Sequence, residues 1–144
     1  MKKTLRTAVI IVCALMIALM VTVYALFHGY FDRGLFEVKQ ATWSSSKEVA
    51  VVAKRSDHQA LSGDQYFVLI GDHSFSTREL THAYHSNAVI FSADSDCLKV
   101  HWEDSHKLVV TCHDGSIEST HIAVQQRRSG DVTVSYTNIP NLSR

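Results

Sequence analysis

From Thr7 to Phe31 the chain has no alternation of apolar and polar positions, and no Asp, Glu, Lys or Arg interrupts it. Within that stretch residues 8–27 (AVIIVCALMIALMVTVYALF) contain Thr22 as the only clearly polar side chain. About 20 helical residues at ~1.5 Å each span the ~30 Å hydrocarbon layer of a bilayer. The pattern therefore predicts one N-terminal transmembrane helix over residues 8–27. Tyr24, Phe27, Tyr30 and Phe31 gather at its C-terminal end, where aromatic rings favour the headgroup boundary. A cleaved signal peptide is the rival reading; it calls for a shorter apolar run that ends in a small-x-small site. A lipoprotein reading calls for a small residue before the cysteine, whereas Cys13 follows Ile11 and Val12 inside the run. A buried core helix is disfavoured because the run has no polar face.

Beyond residue 40 the pattern changes to short apolar runs punctuated by turn residues. Residues 49–53 (VAVVA), 66–70 (YFVLI) and 87–91 (NAVIF) are near-continuous runs, as expected of strands buried on both faces. Residues 44–47, 62–64 and 71–72 supply the Ser, Gly and Asp that break them. Ser76 and Glu79 have the spacing of a capping box, followed by Leu80, Ala83 and Tyr84. A short helix near 77–85 and an irregular connection are both open there.

The C-terminal half alternates, so register can be worked out. Folding back at residues 104–106 pairs Trp102 with Leu108, Val100 with Val110 and Leu98 with Cys112, and sets Glu103 against Lys107 as a cross-strand ion pair. A second hairpin is expected around residues 128–130, with Gly130 in the left-handed conformation. It would set Arg127 against Asp131, Val124 against Val134, and Ile122 against Tyr136. Asp114 and Gly115 mark the turn between the two hairpins, with a three-residue loop or bulge favoured so that one face stays apolar. The expected architecture is mainly β: an N-terminal transmembrane helix, then a small antiparallel β-sandwich or open barrel of about seven to nine strands. By position this gives a cytoplasmic tail (1–7), the helix (8–27), a juxtamembrane linker (28–40), the β domain (41–138) and a C-terminal tail (139–144).

Charge adds direction. Lys2, Lys3 and Arg6 precede the helix and favour a cytoplasmic N-terminus, which places the β domain in the periplasm or outside the cell. Three of the fourteen basic residues lie there, leaving eleven against fourteen acidic ones in the rest of the chain. That is no electrostatic footprint for nucleic acid. A single proline, Pro140, and 46% hydrophobic residues argue against a disordered tail.

Candidate chemistry is sparse. Cys97 and Cys112 flank the first hairpin, where a disulfide is permitted outside the cytoplasm and contributes ~3 kcal/mol. The favoured register leaves Cys97 one residue off and on the opposite face, so two unbridged thiols are expected unless the strand start shifts or bulges. His82 and His85 share one face of a helix, and His101, His106, His113 and His121 could gather at one end of the sheet, but no third ligand is fixed by any motif. No metal or cofactor site is expected, and solvated histidines are the ordinary reading. Asp94, Asp96, Glu103 and Asp104 read as solvated turn residues rather than paired catalytic carboxylates. Asn141-Leu142-Ser143 matches a glycosylation acceptor. Trp43 and Trp102 are the largest apolar side chains, and Trp102, at a hairpin end, reads as core rather than as a ligand site. No nucleophile elbow, phosphate loop or zinc-protease motif is present in the sequence.

The order of features resembles that of small bacterial membrane-anchored envelope proteins of unknown function. The residues that carry the likeness are the anchor, the Ser-rich turn at 44–47 leading into 49–52, and the hairpin of Val100-His101-Trp102 with Leu108-Val109-Val110. The resemblance implies the strand order and brings no activity and no site residues. The expectation is a non-enzymatic envelope binding module, tethered to the lipid bilayer through residues 8–27, with an envelope protein as partner. The alternatives are a structural subunit of a membrane complex and a metal-dependent hydrolase using the histidines.

Overall fold

The computed structural model describes residues 2–31, 34–57, 63–113 and 115–142. They form two units, 1–33 and 34–144. The first is a single helix, α1 (Lys2–Phe31). Its side chains at positions 10–26 are all exposed and, Thr22 apart, lack any clearly polar group around the whole circumference, with Ile10 at 68% and Met20 at 72%. The hydroxyl of Thr22 donates to the Ala18 carbonyl at 2.8 Å, so the one clearly polar side chain of that stretch is satisfied within the helix. Among the described residues no helix is long and apolar enough to cross a membrane. The expected crossing over residues 8–27 is thus shown only as a helix.

The second unit is mainly β, with nine strands among the described residues: β1 (Leu35–Trp43), β2 (Val49–Ser56), β3 (Gln65–Gly71), β4 (Phe91–Ala93), β5 (Leu98–Asp104), β6 (Lys107–Cys112), β7 (Ile122–Gln125), β8 (Arg128–Ser129) and β9 (Val132–Thr137). They build a five-stranded sheet, β1-β2-β3-β4-β7, and a four-stranded sheet, β5-β6-β9-β8. The sheets pack through Ala50, Val52, Val68 and Phe91 of the first and Val100, Leu108, Val110 and Val134 of the second. A second apolar layer, with Val49, Val51, Phe67 and Leu69, lies on the far face of the five-stranded sheet. There Leu80 and Ala83 of helix α2 (Thr77–His85) cover it. This is why β2 and β3 read as unbroken apolar runs.

Strand β1 begins at Leu35, inside the stretch expected as linker, and pairs with β2 along its length across a bulge at Lys39. Residues 87–90 are not strand; β4 is confined to Phe91–Ala93, although Val89 and Ile90 are buried. The Ser76–Glu79 capping box is formed, and α2 follows it. Gly71 ends β3 where the Phe75 ring packs so close that a Cβ would stand 2.6 Å from it.

The β5–β6 register is the expected one from Leu98–Cys112 to Trp102–Leu108. A bulge at Glu103 then pairs Asp104 with Lys107, tightening the turn to Ser105 and His106, and Lys107 still reaches Glu103 at 2.7 Å. Cys97 and Cys112 are joined in a disulfide, which corrects the expectation of two thiols. Cys97 stands in the turn before β5, so strand alternation does not dictate where its side chain points, and its Cα lies 4.8 Å from that of Cys112.

The second expected hairpin is also corrected. Its turn is Gly130-Asp131, with Gly130 at φ +56°, and it pairs Arg128 with Thr133 and Ser129 with Val132. Ile122 and Val124 instead pair with Ala93 and Ser92 in the other sheet. A bulge at Ala123 turns Ile122 into the inter-sheet core and Val124 to the α2 face. Chain 122–129 is therefore a bent strand shared between sheets. β9 lies parallel to β6, so the sandwich is not purely antiparallel. β6 and β7 are in different sheets, so the connection expected as a turn crosses between them; Asp114 itself lies outside the described residues.

The opposite seam is closed by side chains. The Gln40 carboxamide donates to the Val100 carbonyl at 2.7 Å and accepts from the Val100 amide at 3.1 Å. Trp102 Nε1 donates to the Thr42 carbonyl at 3.0 Å, and the Ser46 hydroxyl to the Ser105 carbonyl at 2.8 Å. Trp102 is thus half-buried at the seam, whereas Trp43 is 51% exposed and not core. Gln40→Ala, which removes two partly buried hydrogen bonds, is expected to cost about 2 kcal/mol. Replacing Cys97 and Cys112 together by Ala is expected to cost about 3 kcal/mol from loop entropy. The first is read as a lower urea midpoint with an unchanged denaturant slope, the second as a lower midpoint with a steeper slope, because the unfolded chain without the cross-link exposes more surface.

Candidate functional site

Helix α2 has nine residues and covers β2 and β3, but not the whole five-stranded sheet. Beside its C-terminal end a cavity of about 380 Å³ opens over β4 and β7. Its walls are Gln65, Tyr84, Asn87, Val89, Ser92, Ala123, Val124 and Gln126. Ser92 and Val124 are cross-strand partners and form part of the floor. The lining carries three carboxamides, two hydroxyls and no formal charge, so it suits an uncharged ligand group that both donates and accepts hydrogen bonds.

Tyr84 organises one wall. Its hydroxyl donates to Gln65 Oε1 and accepts from Arg55 Nη1 at 3.3 Å. The Arg55 guanidinium lies 4.9 Å from the Tyr84 ring centroid, and its Nη2 pairs with Asp57 at 2.8 Å. Phe36 and Phe67 pack against the same ring at centroid distances of 5.8 and 5.2 Å. Gln126 is held by its Nε2 donating to the Val89 carbonyl at 3.1 Å and by its amide donating to the Ile90 carbonyl at 2.8 Å. The hydroxyl of Tyr136 donates to the Gln126 carbonyl, and burial pushes that phenol above its usual range.

None of the histidines singled out in the sequence lines this cavity. His82 and His85 are exposed on α2, and His101, His106, His113 and His121 are exposed at separate positions. Among the described residues no three His, Cys, Asp or Glu side chains are placed to hold a metal ion. His121 Nδ1 pairs with Asp94 at 2.7 Å, which raises the imidazole above its ordinary value and ties the 3-10 turn Ser119–His121 to the end of β4. The acidic residues 94, 96, 103 and 104 are exposed. In the glycosylation match, Ser143 lies outside the described residues. Gln65, Ser92 and Gln126 carry no motif in the sequence, and Tyr84 and Asn87 read there only as parts of the 77–85 helix and the 87–91 run. Uncharged polar residues within or beside apolar runs were the only available signal.

The start of α2 holds the clearest electrostatic arrangement. His73 Nδ1 pairs with Asp72 at 2.6 Å and Nε2 with Glu79 at 3.0 Å, so both carboxylates, Asp72 first, raise the imidazole above its ordinary value. Glu79 accepts from the Ser76 hydroxyl and the Ser76 amide, and faces His73; in that order these hold its carboxyl down at about 2. The His73 contribution is complete below the ordinary imidazole value of 6.5 and is lost as pH rises through the raised one. The Glu79 contribution is complete above 4.5 and is lost as pH falls towards about 2. The loop–helix contact is therefore expected to be firmest between those two ordinary values. In an NMR titration the His73 midpoint should lie above 6.5, and Asp72→Asn should lower it more than Glu79→Gln. A midpoint unmoved by either substitution would contradict the clamp.

Comparison with known protein families, curated proteins and solved structures finds no match for this chain.

Proposed function

We propose that the chain is a single-pass, membrane-tethered binding module: α1 anchors it, and the β domain stands on the opposite side from the N-terminus and engages an envelope partner without catalysis. The observation that carries this reading is the surface of α1. Residues 10–26 are apolar on every side and exposed, and the sequence continues the run to residues 8–27. Exposed apolar surface of that extent is unfavourable in water and calls for lipid or another helix as solvent. The internal Ala18–Thr22 hydrogen bond supports the same reading, since a free hydroxyl is costly in hydrocarbon.

Two further features support the orientation and the class. Lys2, Lys3 and Arg6 favour a cytoplasmic N-terminus. The Cys97–Cys112 disulfide is at home in an oxidising compartment such as the periplasm. The concavity beside Tyr84 is walled by carboxamides and hydroxyls with no charged group. That lining suits recognition better than acid–base chemistry, which needs a titratable group at the reacting atom.

The anchor is tested by carbonate extraction of membranes from cells expressing the full chain. The protein is expected to stay in the pellet, and protease added to spheroplasts is expected to degrade the β domain. Release into the supernatant, or protection of the domain, would sink the reading. Leu15→Arg with Leu19→Arg should shift most of the chain out of the pellet, because each charge near the bilayer centre costs ~3 kcal/mol.

A further inference from the structure

Among the described residues β7 is the outer strand of the five-stranded sheet, and one row of its main-chain groups has no ladder partner there. Such an edge is a template for another extended chain, and proteins blunt it with short strands, bulges or a covering segment. All three devices occur here. β7 has four residues, Ala123 is a bulge, and residues 140–142 lie against Gln125.

The cover is not a ladder. The Gln125 side chain donates from Nε2 to the Pro140 carbonyl at 3.1 Å and accepts at Oε1 from the Leu142 amide at 2.7 Å. A carbonyl at one residue and an N–H two residues on are the groups an extended strand presents to one side. The carboxamide thus reads extended main chain, independent of the side chains it carries. Ile139 is buried, Asn141 is exposed and Leu142 is 36% exposed, and the Gln125 side chain holds the segment beyond Ile139 through two hydrogen bonds.

Two concavities border this edge. One is the uncharged cavity beside Tyr84; the other, about 460 Å³, is lined by Ala123, Gln125, Gln126, Arg127 and Leu142. They share Ala123 and Gln126 and so form one track along β7.

We infer that the β7 edge is the docking site for an extended peptide segment of a partner protein, which displaces residues 140–142 from Gln125, adds along β7 and seats an uncharged side chain in the cavity beside Tyr84. Exposed Arg127 at the far end of the track favours an acidic residue there. A sugar fits less well: sugar rings stack on open aromatic faces, and Tyr84 is enclosed by Phe36, Phe67 and Arg55. The inference rests on the binding-module reading and names its partner class, but it does not depend on α1 crossing a membrane.

The test uses the full chain in detergent micelles and a random peptide library displayed on phage. Leu142→Pro removes the amide that Gln125 accepts from and frees the edge. Peptides are expected to be enriched on this variant, to bind it more tightly than the wild-type chain, and to protect the β7 amides from hydrogen exchange. Adding Gln125→Glu replaces the donor that reads a carbonyl and is expected to weaken binding roughly tenfold. Ala123→Trp, at an exposed bulge position, fills the track and serves if the glutamate variant fails to fold. Near-ultraviolet circular dichroism confirms the fold of each. Failure to enrich any peptide overturns the edge site. Peptides that bind equally after both substitutions also overturn it, while leaving a binding module whose surface lies elsewhere.

Discussion

Val49–Ala53 of β2 and Phe67–Leu69 of β3 are buried on both faces, and the architecture of the β domain follows from that constraint. A strand without a polar face needs cover on two sides. The four-stranded sheet covers one face through Val100, Leu108, Val110 and Val134, and α2 covers the other through Leu80 and Ala83. A nine-residue helix cannot cover five strands. The uncovered part, over β4 and β7, is where the uncharged cavity lies. The core and the candidate site are thus two results of one shortage of helical cover.

Closing the two sheets against each other leaves edges, and this chain seals them mostly with uncharged side chains. At one seam the Gln40 carboxamide occupies both main-chain groups of Val100, with Trp102 and Ser46 adding bonds along the same line. At the other seam the chain itself bends from β7 into β8, and Tyr136 ties the bend to the four-stranded sheet through the Gln126 carbonyl. Gln125 repeats the carboxamide device on residues 140–142. An amide side chain can replace a ladder partner because it offers one donor and one acceptor at the spacing of a peptide group. Such a seal is local and shorter than a strand, and so easier to displace than a ladder.

The disulfide and the α2 cap fix the two ends of this framework. Cys97–Cys112 joins the start of β5 to the end of β6 and closes the hairpin whose far end touches the Ser-rich turn. The Asp72–His73–Glu79–Ser76 cluster, all exposed, orients the entry into α2. Under the proposed reading, α1 tethers the module and the edge strand β7 is offered to partners.

The sequence by itself determined those features that depend on near neighbours. The helical apolar run, the strands over 49–53 and 66–70, the Ser76–Glu79 cap, the Leu98-to-Leu108 register and the left-handed Gly130 all follow from periodicity or turn chemistry. Tertiary structure decided whatever depends on which sheet a strand joins. Ile122 and Val124 have the spacing of one strand face, yet the Ala123 bulge sends them to opposite faces, and β9 runs parallel to β6 through a crossover that no local pattern encodes. Cys97 escaped the alternation argument because it precedes the strand. The candidate site was the least legible part. Gln65, Tyr84, Ser92 and Gln126 come from separate elements, and their chemistry is uncharged, so neither spacing nor charge marks them until packing brings them around one space.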